Sequence, residues 1–375
     1  MPKVILKDVV ARIKDKVDKN DPALEYYIGG EHFDYGEICV TKKAPIQGST
    51  IGPAFHMRFK PGDVLLMSRN PHLRKAGVVD FEGLCSDVSY VCRTKNEDVL
   101  MQRFLPFIFQ TDHFWDFAEK NKHGSTNYFL NWTDFEKYEF DLPDIEVQKE
   151  LVELLWAAQE LKLAYQAMLI RTDELVKSQF IEMFGNPITN TKGWPTKPLK
   201  EVAPEHTPKI PNATNYWWLN LDMIETYSGN IIEKLYASLE NIGSSTSTFD
   251  NTMVLYSKLR PYLNKVVVPD DYGYATTELV GLKPDQTILN KYFLFNLLRG
   301  DDFVAYANGI SGGTQMPRMP VKALREFMCI LPPMELQEQF VALSRQSDKS
   351  KFELKKAIEN IDKLMKSLMQ QDFSS

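Results

Sequence analysis

The chain has 375 residues, of which 43% are hydrophobic and 25% charged, and its formal net charge is −6. This length exceeds what one ordinary hydrophobic core fills, so two or three domains are expected, with the composition of a soluble globular protein. No stretch reaches the roughly 18 apolar residues of a membrane-spanning helix, and Met1–Val10 lacks the basic start and apolar run of a signal peptide.

The cysteines are Cys39, Cys85, Cys92 and Cys329, and none has CxxC spacing or a neighbouring histidine cluster. We interpret them as reduced thiols of a cytoplasmic protein without a structural zinc site. The acidic net charge argues against a uniformly basic nucleic-acid binder. An average charge, however, says little about local basic patches.

Residues 1–143 predict an α/β domain. Short β-type runs alternate with turn residues, as where Pro61-Gly62-Asp63 precedes the apolar run 64–67. Apolar residues at helical spacing between Met101 and Lys120 then predict one amphipathic helix. A polar, glycine-containing loop follows it at residues 123–127.

Residues 144–184 predict one helix of about 40 residues, with Pro143 near its start and Gly185 at its end. Such a helix is about 60 Å long at 1.5 Å per residue, which overhangs a domain of this size. Apolar residues recur in steps of three and four, which favours packing against another helix over a helix lying on its own domain. The positions predicted to face that second helix are Leu151, Leu154, Ala158, Leu161, Tyr165, Met168, Thr172 and Leu175.

The second half of the chain repeats the first at an offset of 189 residues, which superposes Leu142 on Leu331, Gln148 on Gln337 and Phe184 on Phe373. A linker (185–198), a second α/β domain (199–332) and a second long helix (333–375) are therefore predicted. The repeat also predicts which positions of the second helix form its apolar seam, the row that faces the first helix. These are Phe340, Leu343, Ser347, Ser350, Leu354, Ala357, Ile361 and Leu364. The predicted fold is two globular α/β domains separated by a pair of long antiparallel coiled-coil helices, with a pseudo-twofold internal repeat.

Catalytic signatures are missing from the sequence, which has no GxxxxGK[ST], GxGxxG, HExxH or GxSxG motif. Asn70-Pro71 and Asn186-Pro187 begin like the Asn-Pro-Pro-Tyr motif of adenine methyltransferases. Both lack the second proline and the aromatic residue that would stack on a flipped base. An autonomous methyltransferase is therefore disfavoured, and no cofactor or metal is predicted on this chain.

Binding chemistry is concentrated in two kinds of loop that occur in both halves. A basic loop follows a predicted strand in each half, and its arginines and lysines suit phosphate contacts and guanine readout, although a solvated charged loop is the alternative. A glycine loop follows the predicted helix in each half and could approach a phosphate or a base edge, although a plain helix-to-strand connection also explains it. The candidate DNA-binding residues are Arg69, His72, Arg74, Lys75, Ser125, Thr126 and Asn127 in the first half, and Lys258, Arg260, Tyr262, Lys265, Thr314, Gln315 and Arg318 in the second.

Tyr216, Trp217 and Trp218 lie outside the repeated framework. Aromatic residues can stack on nucleic-acid bases, but three in succession at the start of a domain are more typical of a packed core. We predict core packing for them.

Tandem unlike domains, each followed by a similar long helix, resemble the specificity subunit of a type I restriction–modification system. The residues that carry the resemblance are Leu331-Pro-Pro-Met-Glu-Leu-Gln337 with Leu142-Pro-Asp-Ile-Glu-Val-Gln148, Leu175-Val-Lys-Ser-Gln-Phe180, Ser257-Lys-Leu-Arg-Pro-Tyr-Leu263 and the Gly-Gly-Thr-Gln loop at 312–315. The first half departs from this pattern, since Asn70-Pro71-His72-Leu73 stands where the second half has Arg260-Pro261-Tyr262-Leu263.

The resemblance implies two target recognition domains that read a bipartite DNA sequence. It further implies two methyltransferase partners, which carry S-adenosylmethionine, and restriction/translocase partners. Unlike domains imply an asymmetric target, whose half-sites on one face of B-DNA lie about 34 Å apart. The expected function is thus a non-catalytic subunit that directs N6-adenine methylation and cleavage. A coiled-coil adaptor that binds proteins without DNA specificity is the alternative.

Overall fold

The computed structural model describes residues 2–371 and divides the chain into two compact units. The first unit comprises the residues up to Ala167 and those from Leu354 onward, and the second comprises Met168–Glu353. The division falls inside the two long helices, so each unit contains one globular domain and a part of both helices. Phe373, the predicted counterpart of Phe184, lies outside the described residues.

Over the residues that the structure describes, the globular part of the first unit contains ten strands and four short α-helices. They are β1 (Lys3–Ile5), α1 (Leu6–Val9), β2 (Val10–Ile13), β3 (Tyr26–Ile28), β4 (Ala44–Pro45), β5 (Phe55–Phe59), β6 (Val64–Met67), β7 (Ala76–Val78), β8 (Gly83–Ser86), β9 (Ser89–Thr94), α2 (Leu105–Ile108), α3 (Asp112–Lys120), α4 (Trp132–Phe135) and β10 (Glu139–Asp141). The strand orders are β2-β9-β6-β7 and β4-β3-β8-β5, with β1 and β10 as a separate pair.

The long helix α5 spans Ile145–Phe184, and the globular part of the second unit follows it. Its elements are β11 (Thr196–Pro198), α6 (Leu199–Val202), β12 (Tyr216–Leu219), β13 (Leu235–Ala237), β14 (Thr246–Phe249), β15 (Val254–Ser257), β16 (Val266–Val267), β17 (Gly273–Thr276), β18 (Leu279–Leu282), α7 (Lys291–Arg299), α8 (Asp301–Gly309), α9 (Val321–Glu326) and β19 (Met328–Ile330). The second long helix, α10, spans Met334–Gln371. The strand orders are β13-β12-β17-β14 and β16-β15-β18, with β11 and β19 paired.

The two globular parts pair their corresponding strands in the same way, although the second sheet has four strands in the first unit and three in the second. In each, a four-stranded sheet has antiparallel outer pairs around one parallel pair, β3 with β8 in the first unit and β12 with β17 in the second. A second sheet places β6 between β7 and β9, as β15 lies between β16 and β18. The internal repeat inferred from sequence thus extends to the pairing of strands.

The prediction of one helix between Met101 and Lys120 is wrong, because the chain forms two helices there, α2 and α3, with a break between them. Thr111 lies in the break, and its hydroxyl accepts a hydrogen bond from the amide of Phe114 at 3.2 Å. An N-cap threonine of this kind satisfies a free amide and starts a new helix. The spacing of apolar residues alone does not reveal that one helix ends and a second begins here.

The helix pair is seen within each unit. In the first unit, Lys162 of α5 forms an ion pair with Asp362 of α10 at 3.1 Å. In the second, Asp173 pairs with Lys351 at 2.8 Å, whereas Phe340, nearer the start of α10, packs against Phe180 near the end of α5. The helices are therefore antiparallel, and the predicted α/β fold with two globular domains and a long helix pair is confirmed.

The seam predicted for this pair is only half right. Leu151 and Ala158 are buried, but the alternate positions Leu154, Leu161 and Leu175 are 56%, 44% and 50% exposed. The face of α5 buried in the first unit instead includes Val152, Leu155 and Gln159, next to the correctly predicted row. Each helix must contact both its partner helix and a domain, so its buried face is rotated away from a simple two-helix seam.

Among residues 2–371, no helix combines the length and hydropathy needed to cross a membrane.

Candidate nucleic-acid interface

The basic loop of the first unit is a 3₁₀ turn, Pro71–Leu73, that follows β6. Its flanking residues Asn70 and Arg74 have left-handed backbone conformations, with φ of 51° and 47°. Asparagine tolerates this conformation, whereas arginine rarely adopts it. Surrounding contacts must therefore hold the turn in place, and the buried ring of Pro71 is one of them.

The basic loop of the second unit has the same shape. Here the 3₁₀ turn is Pro261–Leu263, and the left-handed residues are Arg260 and Asn264, with φ of 49° and 48°. The order of the flanking residue types is reversed, since arginine precedes this turn and follows the other. The same backbone thus presents different side chains in the two units.

The glycine loop of the first unit lies beside its basic turn. The amide of Asn70 donates to the carbonyl of Tyr128 at 2.8 Å, and Arg69 forms a β-bridge with Phe129. Gly124 has φ of 93°, and a Cβ there would approach the Asn127 carbonyl to 2.8 Å, so the loop requires glycine. We call residues 69–75 together with 124–129 the first loop cluster.

The second unit repeats this contact. The amide of Arg260 donates to the carbonyl of Pro317 at 2.7 Å, and Leu259 forms a β-bridge with Arg318. Gly313 has φ of 100°, the counterpart of Gly124. We call residues 258–265 together with 312–318 the second loop cluster. The two kinds of loop predicted separately from sequence thus form one surface in each unit.

The candidate side chains of the first loop cluster fall into two groups. The exposed group, for which the described residues show no hydrogen bond or ion pair to the side chain, comprises Arg69, His72, Ser125, Thr126 and Asn127. The Arg69 guanidinium lies 5.6 Å from the centre of the Phe129 ring. Arg74 instead forms an ion pair with Asp112, and the ammonium of Lys75 donates to the carbonyl of Gly30.

The second loop cluster divides in the same way. Tyr262 is 42% exposed, Thr314 and Gln315 are exposed, and Lys258 is half-buried. The guanidinium of Arg318 pairs with Glu278 at 3.1 Å. Arg260 is half-buried, and its Nε is a buried donor with no partner among the described residues.

Lys75 and Lys265 occupy matched positions and make the same contact, because Lys265 donates to the carbonyl of Leu221 at 2.6 Å as Lys75 does to that of Gly30. Burial lowers the pKa of Lys265, against the opposing effect of Asp222. Both lysines tie the basic turn to a neighbouring segment. The DNA contact predicted for them stays a prediction.

Two ion clusters near the first loop cluster limit its positive charge. Hydrogen bonds from Lys366 and Arg74 hold the pKa of Asp112 below its usual range, so its carboxylate offsets the charge of Arg74. His123 and Lys137 similarly lower the pKa of Asp134. The charge that the first loop cluster presents to solvent therefore depends chiefly on Arg69.

Tyr216 and Trp217 are 4% and 1% exposed, and Trp218 is half-buried, so the predicted core packing is confirmed for the first two. Two further residues, one beside the first loop cluster and one within the second, were not predicted from the sequence. Lys122 lies 4.2 Å from the ring of Tyr128, and Met316 is exposed next to the second glycine loop. Their position directly flanking the glycine loops is the sequence signal that could have found them.

No group of His, Cys, Asp and Glu side chains among residues 2–371 is arranged to hold a metal ion.

No protein-family model matches the chain. It is 22% identical over 203 residues to the type I restriction enzyme EcoDI specificity subunit of Escherichia coli, a match that spans 47% of this chain and 45% of that protein. The type I restriction–modification S subunit from M. genitalium superposes on it with a TM-score of 0.60 and 12% identity, covering 100% of this chain and 96% of that one. A chain from a type I R-M system, solved to explain complex assembly and conformational transition, gives a TM-score of 0.57 and 16% identity, covering 99% and 97%. The predicted resemblance is confirmed: the chain has the fold of type I restriction–modification specificity subunits and is similar to one of them in sequence.

Proposed function

We propose that the chain is the DNA-recognition subunit of a type I restriction–modification complex. The observation that carries the proposal is the pair of loop clusters, one in each unit, built on the same backbone but with different side chains. Each cluster combines exposed hydrogen-bonding side chains with cationic ones, the mixture used to contact base edges and phosphates. Because the two clusters differ, they would read two different half-sites of one asymmetric target.

The long helices would act as the spacer between these half-sites. A helix of the length of α5, Ile145–Phe184, spans about 60 Å. Hydrogen bonds and buried aromatic rings join α5 to both domains, as Gln148 does with Met101 in the first unit and Phe180 with Phe293 in the second. A stiff connection of this kind would make the gap between half-sites a property of helix length.

The exposed row on α5 supports the docking of partner subunits. Val147, Leu154, Leu161, Met168 and Leu175 recur every seven residues and are all exposed. A seven-residue apolar repeat is the pattern that packs against a further helix, and exposed apolar rows mark protein interaction sites. We propose that two methyltransferase subunits bind along the helix pair and carry S-adenosylmethionine, and that restriction/translocase subunits join them.

In this proposal the chain performs no reaction itself. It would direct N6-adenine methylation, and cleavage of unmodified DNA, by the partner subunits. A protein-binding adaptor without DNA specificity is the alternative that the exposed row also favours. The salt dependence of binding distinguishes the DNA-recognition subunit from the protein-binding adaptor. DNA binding dominated by phosphate contacts weakens by about 10³–10⁵-fold between 50 and 200 mM salt, whereas binding through an apolar interface does not.

The decisive experiment co-expresses the chain with its methyltransferase partner and maps methylated adenines in the host genome. A bipartite asymmetric motif is expected. Removing four residues from each long helix should shift the preferred gap by about two base pairs, since one turn is about 5.4 Å. Methylation at sites that share no motif, or a gap that ignores helix length, would refute the proposal. A complex that methylates DNA without this chain would do the same.

A further inference from the structure

A tyrosine whose side chain is mostly exposed lies beside the basic turn in each unit. Tyr35 is 64% exposed in the first unit, and Tyr227 is 63% exposed in the second. Both belong to a segment that is hydrogen-bonded to the turn. The amide of Gly36 donates to the carbonyl of Arg74 at 3.3 Å, and the amide of Tyr227 donates to the carbonyl of Leu263 at 3.3 Å. Each unit therefore adds one exposed aromatic ring next to its loop cluster.

The two segments occupy matched positions in the internal repeat. A 3₁₀ turn precedes each of them, Gly30–His32 in the first unit and Leu221–Met223 in the second. Counted from these turns, Tyr227 matches Gly36, and Tyr35 lies one residue earlier. The exposed tyrosine differs by one position between the units, yet each unit has one.

Tyr227 has a backbone conformation that suits glycine better than tyrosine. Its φ is 65°, and the φ of Gly36 at the matched position is 67°. Glycine adopts this left-handed conformation freely, whereas a bulky side chain rarely does. Backbone strain of this kind is concentrated at functional sites, where the side chain is needed in one place. The second unit thus carries a tyrosine where the backbone favours the residue of the first.

Neighbouring side chains hold this strained backbone in place. The carbonyl of Tyr227 accepts from both Nε and Nη2 of the half-buried Arg299. The amide of Glu225 donates to the carbonyl of Asn230 at 2.9 Å, and the Glu225 carboxylate accepts from the side chains of Ser228 and Asn230. Because this backbone is fixed and a tyrosine side chain has few torsions, its ring can bind a partner at a small cost in conformational entropy.

The immediate neighbours of the two tyrosines favour a nucleic-acid partner over a protein partner. Hot spots of protein interfaces lie in well-packed pockets surrounded by further contacts. Tyr227 is instead flanked in sequence by Thr226 and Ser228, and Tyr35 is followed by Gly36. A single exposed ring beside a basic groove is the combination that stacks on nucleic-acid bases.

The charges around Tyr35 are compatible with this partner. The guanidinium of Arg74 lies 5.8 Å from the centre of the Tyr35 ring. Asp34 precedes Tyr35, but its carboxylate forms an ion pair with Lys42 at 2.5 Å, which offsets its negative charge. The acid next to the ring therefore does not oppose the approach of DNA.

Resting on the proposed function, we propose that Tyr35 and Tyr227 contact DNA, each by stacking its ring on a base of the half-site that its unit reads. Bases in an intact duplex are already stacked on one another. A methyltransferase, however, takes its target base out of the stack, which exposes base faces beside the gap. One tyrosine per unit matches one extruded adenine per half-site.

Fluorescence anisotropy of the assembled complex tests this contact on a labelled duplex that carries the methylation motif mapped in the host genome. Tyr227→Gly or Tyr35→Ala should weaken binding by about 5- to 150-fold, which corresponds to the loss of one base–aromatic stack. The slope of log affinity against log salt should stay the same, because the lost contact is not ionic. Tyr227→Phe keeps the ring and should bind as the unaltered chain does. A loss as large as that of Tyr227→Gly would refute stacking in favour of a hydroxyl contact.

Tyr227→Gly is also the variant least able to disturb the fold, because glycine suits this backbone and stands at the matched position of the first unit. The melting temperature of the full chain should not fall. A lower melting temperature together with weaker DNA binding would make the ring structural and overturn the proposal. Tyr236→Ala is the control, since Tyr236 is 57% exposed on β13, outside both loop clusters, and its loss should leave affinity unchanged.

Two further outcomes separate this inference from the proposed function. If the unaltered complex prefers the motif over a scrambled duplex, and Tyr35→Ala and Tyr227→Gly both keep full affinity, the tyrosine contacts are refuted and the proposed function stands. If the unaltered complex shows no such preference, both fail together. Loss of co-purification of Tyr227→Gly with the methyltransferase would identify a protein contact and overturn the assignment to DNA.

Discussion

Gln148 of α5 and Gln337 of α10 bind their own units through the same hydrogen bonds. The Gln148 side chain accepts from the amide of Met101 at 3.0 Å, and that of Gln337 accepts from the amide of Asn290 at 2.9 Å. Their amide nitrogens donate to the carbonyls of Val99 and Pro143 in the first unit, and of Ile288 and Pro332 in the second. Both side chains are fully buried. Each glutamine therefore fixes the start of a long helix to its globular part.

Replacing either glutamine by leucine should lower the free energy of unfolding by about 2–4 kcal/mol. The apolar side chain leaves buried backbone groups unpaired, and each such group costs about 1–3 kcal/mol. Urea denaturation of the full chain measures the change. Gln346→Leu, at an exposed position on α10, is the control and should shift stability by less than about 0.5 kcal/mol. Equal effects of Gln148→Leu and Gln346→Leu would contradict the anchoring role.

The geometry of the loop clusters predicts that their arginines contribute to DNA binding and their anchored lysines to stability. Arg69→Ala or Arg260→Ala should weaken DNA binding by the assembled complex and reduce the slope of log affinity against log salt by about one, as loss of one phosphate contact does. Fluorescence anisotropy at several salt concentrations measures the slope. Lys349→Ala, at an exposed site on α10 outside both clusters, should leave it unchanged. An unchanged slope for both arginine variants would remove the loop clusters from the interface.

Lys75 and Lys265 should behave differently from these arginines. Their ammonium groups hold neighbouring carbonyls, so Lys→Ala at either position should lower the free energy of unfolding by about 1–2 kcal/mol. Thermal or urea denaturation of the full chain is the measurement. Lys349→Ala again serves as the surface control. A variant could instead keep full stability while its slope of log DNA affinity against log salt concentration falls by about one. That result would show that the lysine contacts phosphate and does not anchor the turn.

Asp112 predicts a pH-dependent contribution to stability. Lys366 and Arg74 lower its pKa in the folded chain, so its carboxylate stabilises the fold above the ordinary aspartate pKa of about 3.9 and ceases to do so as pH falls through the lowered value. Asp112→Asn should therefore destabilise the chain at pH 7 and by progressively less below about pH 4. Urea midpoints at several pH values test this, with Asp116→Asn on the exposed side of α3 as the control. A deficit that is constant with pH would disprove the ionic origin.

The exposed row on α5 predicts where partner subunits bind. Leu154→Glu with Leu161→Glu should abolish co-purification with the methyltransferase while leaving the chain folded, because both side chains already lie in solvent. Glu160→Ala, an exposed neighbour, should have no effect. Size-exclusion chromatography of the co-expressed subunits is the readout. Intact assembly of the double variant would exclude this row from the interface.

The sequence by itself determined the duplication, the two long helices and the places where the loops carry polar and basic side chains. These features are local or repeated: Gly185 ends α5, and its amide closes the last turn by donating to the Ile181 carbonyl. A repeat such as Gln148 with Gln337 is visible without any knowledge of contacts.

Only the tertiary structure decided which of these side chains are buried or paired within the protein and which are exposed to solvent. Leu154 and Leu155 are equally apolar, yet one is exposed and the other buried, because the angle at which α5 meets its neighbours selects the face. Likewise Arg69 extends into solvent while Arg74, in the same basic loop, neutralises Asp112. Burial and ion pairing depend on residues that are distant in the sequence. A local sequence pattern therefore cannot reveal which side chains are buried or paired.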